Sequence, residues 1–295
     1  MLIDVDHESP GDSRCLVAEP SSVEARFGLR NCTPRGTDSH CDLDLGTWSR
    51  QADGSVQLGA LAIAVDHILG EVPFRRRPPE HWALTTELSI EFVSPVERDA
   101  TLHLWGSPVR MERSGGFARG GILDEHGRTV AVGSTRTLFV PTIAAPGHAA
   151  ERRIENPTVA TTLGEHLRVK YDVGGRAADG VQIYLSDPSA WQNGFGILHG
   201  GVWACLAEVA ASRLISRTRP GLSTATLHTT YLRPGAVGLP VTMSARAVHL
   251  GSRLAVAHCT GRSDDGTVCT VSSVTARRID DVAADKGDRD DETDL

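Results

Sequence analysis

The distribution of hydrophobic and polar residues along the chain predicts two long buried helices, each followed by several strands. Residues 58–70 (LGALAIAVDHILG) and 200–212 (GGVWACLAEVAAS) are apolar on every side of a helix, so each must be covered all round. Other segments alternate with the period of a half-buried strand, namely 40–45 (HCDLDL), 181–185 (VQIYL), 224–232 (TATLHTTYL) and 241–250 (VTMSARAVHL). Strands that cluster after a single helix favour an α+β fold with antiparallel sheets over alternating βαβ units.

The two halves of the chain repeat each other. A shift of 142 residues places Asp66 on Glu208, and the same shift aligns Gln51 with Asn193, Gln57 with His199 and Gly59 with Gly201. Downstream, a shift of 139 aligns residues 86–96 (TELSIEFVSPV) with 225–235 (ATLHTTYLRPG), and 124–137 with 263–276. An ordered series of this kind predicts a tandem duplication.

The repeat divides the chain into five segments. We expect a flexible N-terminus at 1–20, a first unit at 21–142, a linker at 143–158, a second unit at 159–279 and an acidic disordered tail at 280–295. In each unit, one long central helix is expected to be wrapped by a curved antiparallel sheet, because a helix that is apolar all round must be buried on all sides.

Each predicted helix contains one buried carboxylate. Asp66 and Glu208 occupy the same repeat position, and each follows an amide side chain, Gln51 or Asn193, by 15 residues. Burying an ionised carboxylate costs several kcal/mol unless partners compensate it. A single case would be explained by backbone donors, but two at one repeat position indicate a functional site.

Charge and motifs exclude several classes of protein. The net charge is −7, but residues 280–295 hold eight acidic side chains against two basic ones, so the rest is nearly neutral and has no basic field for nucleic acid. A run of 18 apolar residues is absent, and the acidic N-terminus lacks the apolar core of a signal peptide. The sequence has no G-x-S-x-G, G-x-G-x-x-G or P-loop motif. We therefore expect a cytoplasmic protein without membrane contact or nucleotide cofactor.

The cysteines and histidines are scattered. Cysteines at 15, 32, 41, 205, 259 and 269 form no C-x-x-C pair, and the twelve histidines form no metal-binding motif. We expect reduced thiols and no metal site.

The second half of the chain contains a recognisable sequence motif. Its spacing N-x5-H-G-G-x6-E-x3-S, from Asn193 to Ser212, resembles the hot-dog-fold acyl-CoA thioesterases of the phenylacetate-degradation and 4-hydroxybenzoyl-CoA type, and YLRP (231–234) and GSR (251–253) resemble that family's strands. The first half keeps Gln51 and Asp66 but has QLG (57–59) in place of H-G-G. The resemblance implies two fused hot-dog units that hydrolyse an acyl-CoA substrate without cofactor or metal. It also allows a homodimer of chains.

The resemblance implies how the two units share their sites. The backbone donor that polarises the thioester carbonyl and the acid come from opposite units. One site would combine Asn193, the Gly200 N–H and Asp66; the other would combine Gln51, the Leu58 N–H and Glu208. We favour the first, because Leu58 replaces the glycine in the second and would crowd a bound thioester. Ser212 corresponds to the family's hydroxyl near the acid, and the implied substrate-binding positions are His199, Gly201, Leu58, Gly59 and Arg253.

Several alternatives stay open. His199 could be a capping residue, since Gln57 at the equivalent position is not a base. A hot-dog enoyl-thioester hydratase or dehydratase needs an Asp/His pair, but Asp66 and His67 are helix neighbours that point about 100° apart. A non-catalytic acyl-CoA-binding protein would explain the missing H-G-G. The arginines of FRRRPPEHW (74–82) are interpreted as a solvated loop, with contact to the CoA phosphates as the alternative.

Overall fold

A computed structural model describes residues 22–51, 53–142, 160–172, 180–235 and 238–278. The expected N-terminus at 1–20, the linker at 143–158 and the tail at 280–295 lie outside these ranges. Within the ranges, no helix has the length and apolar character needed to cross a membrane.

Each half of the chain has the same order of elements. The first half contains α1 (Val23–Arg26), β1 (Leu29–Arg35), β2 (Asp38–Asp44), α2 (Ala60–Phe74), β3 (His81–Phe92), β4 (Thr101–Glu112), β5 (Gly115–Leu123) and β6 (Thr129–Pro141). The second contains α3 (Leu163–Leu167), β7 (Val169–Tyr171), β8 (Gly180–Leu185), α4 (Gly200–Thr218), β9 (Leu222–Tyr231), β10 (Val241–Leu250), β11 (Leu254–Ser263) and β12 (Val268–Arg278). The two predicted helices and the alternating strand segments are confirmed.

The described strands form one antiparallel sheet with a palindromic order. It runs β1-β2-β4-β5-β6-β3-β9-β12-β11-β10-β8-β7, so the second six strands repeat the first six in reverse. The halves join where β3 pairs with β9, with Ile90 opposite Leu227. An approximate two-fold axis therefore passes between these two strands.

Helices α2 and α4 pack against each other inside this sheet. Every residue of α2 except Gly70 is buried, as is α4 from Gly201 to Ala211. Two glycines permit the close contact: a Cβ on Gly201 would lie 2.5 Å from Ile63 Cα, and one on Gly59 would lie 3.0 Å from the Cys205 carbonyl oxygen. As a result, the N-terminus of each helix faces the middle of the other.

The first hairpin corrects the expectation of reduced thiols. Cys32 on β1 and Cys41 on β2 are joined by a disulfide, with their Cα atoms 4.2 Å apart. A register shift between Arg30 and Thr33 brings the two cysteines opposite each other. Their separation of nine residues spans a hairpin turn, which a search for C-x-x-C pairs does not detect. Cys205, Cys259 and Cys269 are free and buried.

Candidate functional site

Asp66, in the middle of α2, contacts the start of α4. The backbone N–H of Gly201 donates to Asp66 Oδ2 at 2.7 Å, and the hydroxyl of Thr85 donates to Oδ1 at 2.9 Å. The side chain is largely buried, with 7% of Asp66 exposed. The unsatisfied N–H groups and the dipole of a helix N-terminus favour a negative charge at this point. The second half of the chain therefore stabilises the acid of the first.

Gly200 makes the close approach of Asp66 possible. A Cβ on Gly200 would lie 2.7 Å from Asp66 Oδ2 and 3.3 Å from its carboxyl carbon. The hydroxyl of Tyr231 donates to the Gly200 carbonyl oxygen at 2.9 Å and fixes the turn. As the first residue of α4, Gly200 has an N–H that no acceptor within the helix can take. It is thus suited to donate to a substrate oxygen.

His199 caps α4 and connects two carboxylates. Its Nδ1 accepts from the Gly201 N–H at 3.0 Å and lies 3.3 Å from Asp66 Oδ2, and its Nε2 lies 3.4 Å from Glu24 Oε1. Burial alone would lower the pKa of His199, but the hydrogen bond to Glu24 and the charges of Asp66 and Glu24 outweigh it and raise that pKa. Burial likewise opposes ionisation of Glu24, yet its hydrogen bonds to His199 and His67 hold its pKa well below the usual range. The capping role considered for His199 is present, together with a charge network that Gln57 could not form.

A cavity of about 270 Å³ opens beside Asp66. Its walls combine apolar side chains with the polar groups of both halves. The apolar lining includes Phe74, Trp82, Leu84, Val140, Leu198 and Trp203. Polar lining residues include Glu24, Asp66, Thr85, Asn193, His199 and Tyr231. A largely apolar cleft with a few convergent polar groups is typical of a small-molecule site.

Glu208, in the middle of α4, contacts the start of α2 in the equivalent way. Its Oε2 accepts from the Gly59 N–H at 3.0 Å and from the Gln57 amide at 2.5 Å, and Oε1 accepts from the Thr224 hydroxyl at 2.6 Å. Burial raises the pKa of Glu208, and these three hydrogen bonds oppose that shift. Ser212 accepts a hydrogen bond from Gln57 at 2.7 Å beside the acid.

The two acid centres differ in three respects. His199, which titrates, is replaced by Gln57, which does not. Gly200 is replaced by Leu58, and the cavity beside Glu208 is smaller, at about 180 Å³. Each acid thus contacts the helix start of the other half, through the N–H of Gly201 or of Gly59. The N–H groups of Gly200 and Leu58, which the resemblance assigns to the thioester carbonyl, are one residue earlier in each case.

The other predicted site residues are distributed as follows. Asn193 lines the first cavity, and its Oδ1 accepts from the N–H groups of Phe195 and Ile197 at 3.0 and 3.3 Å, which shapes the loop before α4. Gln51 and Leu58 line the second cavity. Arg253 is exposed in the turn between β10 and β11 and lines neither cavity.

The three consecutive arginines after α2 are not a freely solvated loop. Arg75 donates to the Asp38 carbonyl oxygen at 3.0 Å, Arg76 to that of Val72 at 3.1 Å, and Arg77 to that of His81 at 2.7 Å. They hold the end of α2 to neighbouring backbone. Outside this segment, Arg233 follows β9, is exposed and lines the first cavity.

Sequence reasoning missed three residues that contact the acids or their network: Glu24, Thr85 and Thr224. The threonines were detectable, because the 139-residue shift already found downstream of the helices aligns Thr85 with Thr224. Glu24 had no such signal, since it is one acid in a short polar segment before the first strand.

Two family models match the chain. Residues 195–270 match the thioesterase superfamily, and residues 6–139 match the acyl-CoA thioesterase C-terminal domain. A comparison with curated protein sequences finds no match. The family matches agree with the thioesterase resemblance in general terms, and its narrower phenylacetate or 4-hydroxybenzoyl-CoA type stays a prediction.

Solved structures resemble the chain over most of its length. The tesB protein of Mycobacterium avium subs paratuberculosis has a TM-score of 0.63 at 8% identity, covering 87% of this chain and 98% of its own. A protein of unknown function with a hot dog fold from Alicyclobacillus acidocaldarius has a TM-score of 0.59 at 14% identity, with coverages of 87% and 98%. The acyl-CoA thioesterase II TesB2 of Mycobacterium marinum has a TM-score of 0.58 at 11% identity, covering 88% of this chain and 98% of its own. At these identities the likeness shows the fold, which is the hot-dog fold.

Proposed function

We propose that this chain, which its family matches identify as a thioester hydrolase, cleaves acyl-CoA thioesters in the cavity beside Asp66. The observation that carries the proposal is the Asp66 carboxylate at one end of an apolar cavity, 2.7 Å from the Gly201 N–H at the start of α4. The acid, the helix N-terminus and room for an acyl group meet at one point.

We also propose that the chain consists of two fused hot-dog units. The palindromic strand order and the equivalent packing of α2 and α4 support this. The fusion matters for the chemistry, because each acid depends on the helix N-terminus of the other unit. Neither unit alone would contain a complete site.

In the proposed reaction, the Gly200 N–H polarises the thioester carbonyl. Negative charge develops on the carbonyl oxygen as the carbon becomes tetrahedral, and a fixed N–H at a helix N-terminus stabilises it. Losing one donor of this kind typically costs roughly 10²–10³ in kcat. The missing side chain at Gly200 lets the thioester come close to the backbone.

Asp66 supplies the attacking oxygen or activates the water that does. In direct attack, a carboxylate oxygen forms a bond to the acyl carbon, the C–S bond breaks, and CoA leaves as a thiolate; water then opens the mixed anhydride. In general-base attack, Asp66 takes a proton from water, the water oxygen forms a bond to the acyl carbon, and the C–S bond breaks to release CoA as a thiolate that takes up the proton. Hydroxylamine present during turnover traps the mixed anhydride of the first route as a hydroxamate, and a yield above that of the direct reaction of hydroxylamine with the thioester in an enzyme-free control indicates that route.

The lining of the cavity indicates where the parts of the substrate would lie. Phe74, Trp82 and Trp203 provide an aromatic surface for the acyl group. Arg233, exposed at the same cavity, can meet a phosphate of CoA at the mouth. Beside Glu208, by contrast, the helix start carries Leu58 in place of the glycine, so we assign that acid a structural role.

The experiment compares two isosteric variants with the wild type on a panel of short, long and aromatic acyl-CoAs. Hydrolysis is measured as the release of free thiol. Asp66→Asn is expected to lose hydrolysis by at least about 10²-fold, while Glu208→Gln keeps it. Equal rates for wild type and the Asp66→Asn, Glu208→Gln double variant would refute the assignment. If the wild type releases no thiol from any acyl-CoA of the panel but binds acyl-CoA tightly, a non-catalytic binding protein is favoured.

One observation favours a second candidate, an enoyl-thioester hydratase. The Asp/His pair that such chemistry requires was sought at Asp66 and His67, but the structure brings His199 within 3.3 Å of Asp66. The loss of enoyl absorbance on incubation with an enoyl-CoA tests this candidate. Hydration that exceeds thiol release on the matching saturated acyl-CoA would establish it.

A further inference from the structure

Three metal-binding side chains converge where β1, β2 and α2 meet, and one of them, His67, also lines the first cavity. Cys32 of β1, Cys41 of β2 and His67 of α2 each place one donor atom within 4.8 Å of the other two. These residues are far apart in sequence, and the hairpin bulge and the packing of α2 bring them together. Cys41 and His67 are buried, whereas Cys32 is partly exposed.

One nitrogen of the His67 imidazole has no hydrogen bond among the described residues. His67 is only 4% exposed, and its Nε2 has no hydrogen-bond partner among the described residues. A buried polar atom without a partner destabilises the folded state, because its hydrogen bond to water is lost and not replaced. A ligand at Nε2 would remove this destabilisation.

The other nitrogen of His67 faces a carboxylate. Its Nδ1 lies 3.4 Å from Glu24 Oε1, the same oxygen that lies 3.4 Å from His199 Nε2. Histidines that bind metals almost always donate their second N–H to a carboxylate, a carbonyl or water, which fixes the ring and makes it a better ligand. Glu24 provides this arrangement for His67.

We propose that, when the Cys32–Cys41 disulfide is reduced, the two thiolates and His67 form a binding site for a zinc-class divalent ion. Two thiolates and one imidazole are the donor set that zinc prefers, in a tetrahedral geometry. The fourth position falls to water on the side of the partly exposed Cys32. The proposed acyl-CoA mechanism uses neither cysteine, whereas His67 lines the first cavity and shares Glu24 with His199.

The redox step is balanced by a dithiol reductant. The reductant's two sulfurs end as a disulfide, and its two protons pass to Cys32 and Cys41. Binding of the ion then displaces both protons, since thiolate is the form that binds metal. The hairpin therefore has two alternative states, a disulfide without metal and a dithiolate with metal.

The test titrates Co²⁺, as a spectroscopic probe for Zn²⁺, into the full chain reduced with a phosphine. Reduced wild type is expected to bind one equivalent with thiolate-to-cobalt charge-transfer absorption, and Zn²⁺ is expected to displace it. The oxidised protein is expected to bind none. Cys32→Ser, Cys41→Ser and His67→Gln are each expected to weaken binding by at least about 100-fold, whereas Cys269→Ser, which removes a distant buried thiol, leaves it unchanged.

Two results would overturn the proposal. One is reduced wild type that binds Zn²⁺ no more tightly than about 1 μM, since structural zinc sites bind far more tightly. The other is binding that survives both cysteine substitutions. Comparing oxidised with reduced wild type requires no variant, so the test stands even where a substitution impairs folding.

Discussion

Thr85 and Thr224 hold the two buried acids in the same way. The hydroxyl of Thr85 donates to Asp66 at 2.9 Å, and that of Thr224 donates to Glu208 at 2.6 Å. Each threonine lies on the strand that follows the helix of its acid. The two halves share this contact although His199 and Gln57 differ, so the threonine is the orienting partner common to both acids.

Replacing Thr85 by Val tests the orienting role. The change keeps the shape and removes a hydrogen bond to a charged group, which is worth about 1.5–3 kcal/mol. We expect kcat for acyl-CoA hydrolysis to fall by roughly 10- to 100-fold, because Asp66 loses its fixed rotamer. Thr224→Val is the matched control, expected to lower the melting temperature to a similar extent while the rate stays near wild type. Equal effects of the two variants on the rate would contradict the assignment of the reaction to Asp66.

Gly200→Ala separates activity from stability. The new Cβ would meet Asp66 Oδ2 at 2.7 Å, so the carboxylate must move. Alanine is a better helix former than glycine by about 1 kcal/mol, so the free energy of unfolding should change little. We expect a loss of at least about 10-fold in kcat with a near-normal melting temperature. If Gly200→Ala lowers kcat and the melting temperature in parallel, Gly200 has a packing role alone.

The overall fold could be predicted because the hydrophobic pattern and the repeat agree. A helix that is apolar all round, such as α2 around Asp66, must be buried on every side. The strands that follow each helix in the sequence supply the sheet that covers it. The alternating strands and the two shifts then fix which segments correspond. The disulfide of Cys32 and Cys41 could not be predicted, because it depends on a bulge that sets the register of the first hairpin.

The candidate site could be predicted in part. The acids and the helix starts follow from the repeat, but the contact of His199 with Asp66 and Glu24 depends on how the halves dock. His67 is the histidine next to Asp66 in the sequence, whereas the imidazole that lies beside the Asp66 carboxylate belongs to His199, 133 residues further along the chain. The hydrogen bond from the Gly201 N–H to Asp66 could not be predicted either, because it depends on how closely α2 and α4 pack; the role of the Gly200 N–H toward the thioester carbonyl stays a prediction.

The network of His199 predicts a loss of stability in alkaline solution. The pKa of His199 is raised above its ordinary 6.5 by Glu24 and Asp66, although burial opposes the shift. Protonation replaces the Nδ1 lone pair that accepts from the Gly201 N–H with an N–H that faces Asp66 Oδ2, 3.3 Å away. The protonated ring stabilises the folded state fully below about pH 6.5, and this contribution disappears as the pH rises through the folded pKa.

His199→Gln, which copies the residue at the equivalent position, is the variant that tests this. We expect wild type to lose melting temperature from about pH 6.5 upward and His199→Gln to show a smaller loss over the same range. Parallel curves for the two proteins would contradict a charged His199.

Glu208 also makes the free energy of unfolding depend on pH, but here burial of the group, rather than its charged partners, shifts the pKa. Burial raises its pKa above 4.5, despite hydrogen bonds from Thr224, Gln57 and Gly59. The folded state therefore keeps a proton that the unfolded chain has lost, and folding is most favourable at the acidic end. The contribution declines as the pH rises from about 4.5 through the folded pKa, by at most about 1.4 kcal/mol per pH unit.

Glu208→Gln removes this titration while preserving the contacts. Its carbonyl oxygen can accept from the Gly59 N–H and the Gln57 amide, and its NH₂ can donate to the Thr224 hydroxyl. We expect the free energy of unfolding in guanidinium chloride, measured at several pH values, to fall more steeply with pH in wild type than in Glu208→Gln. Because other groups titrate equally in both proteins, the difference between the two curves isolates Glu208. A difference that is constant with pH would mean that Glu208 titrates alike in the folded and unfolded states, and that the three donors fully compensate its burial.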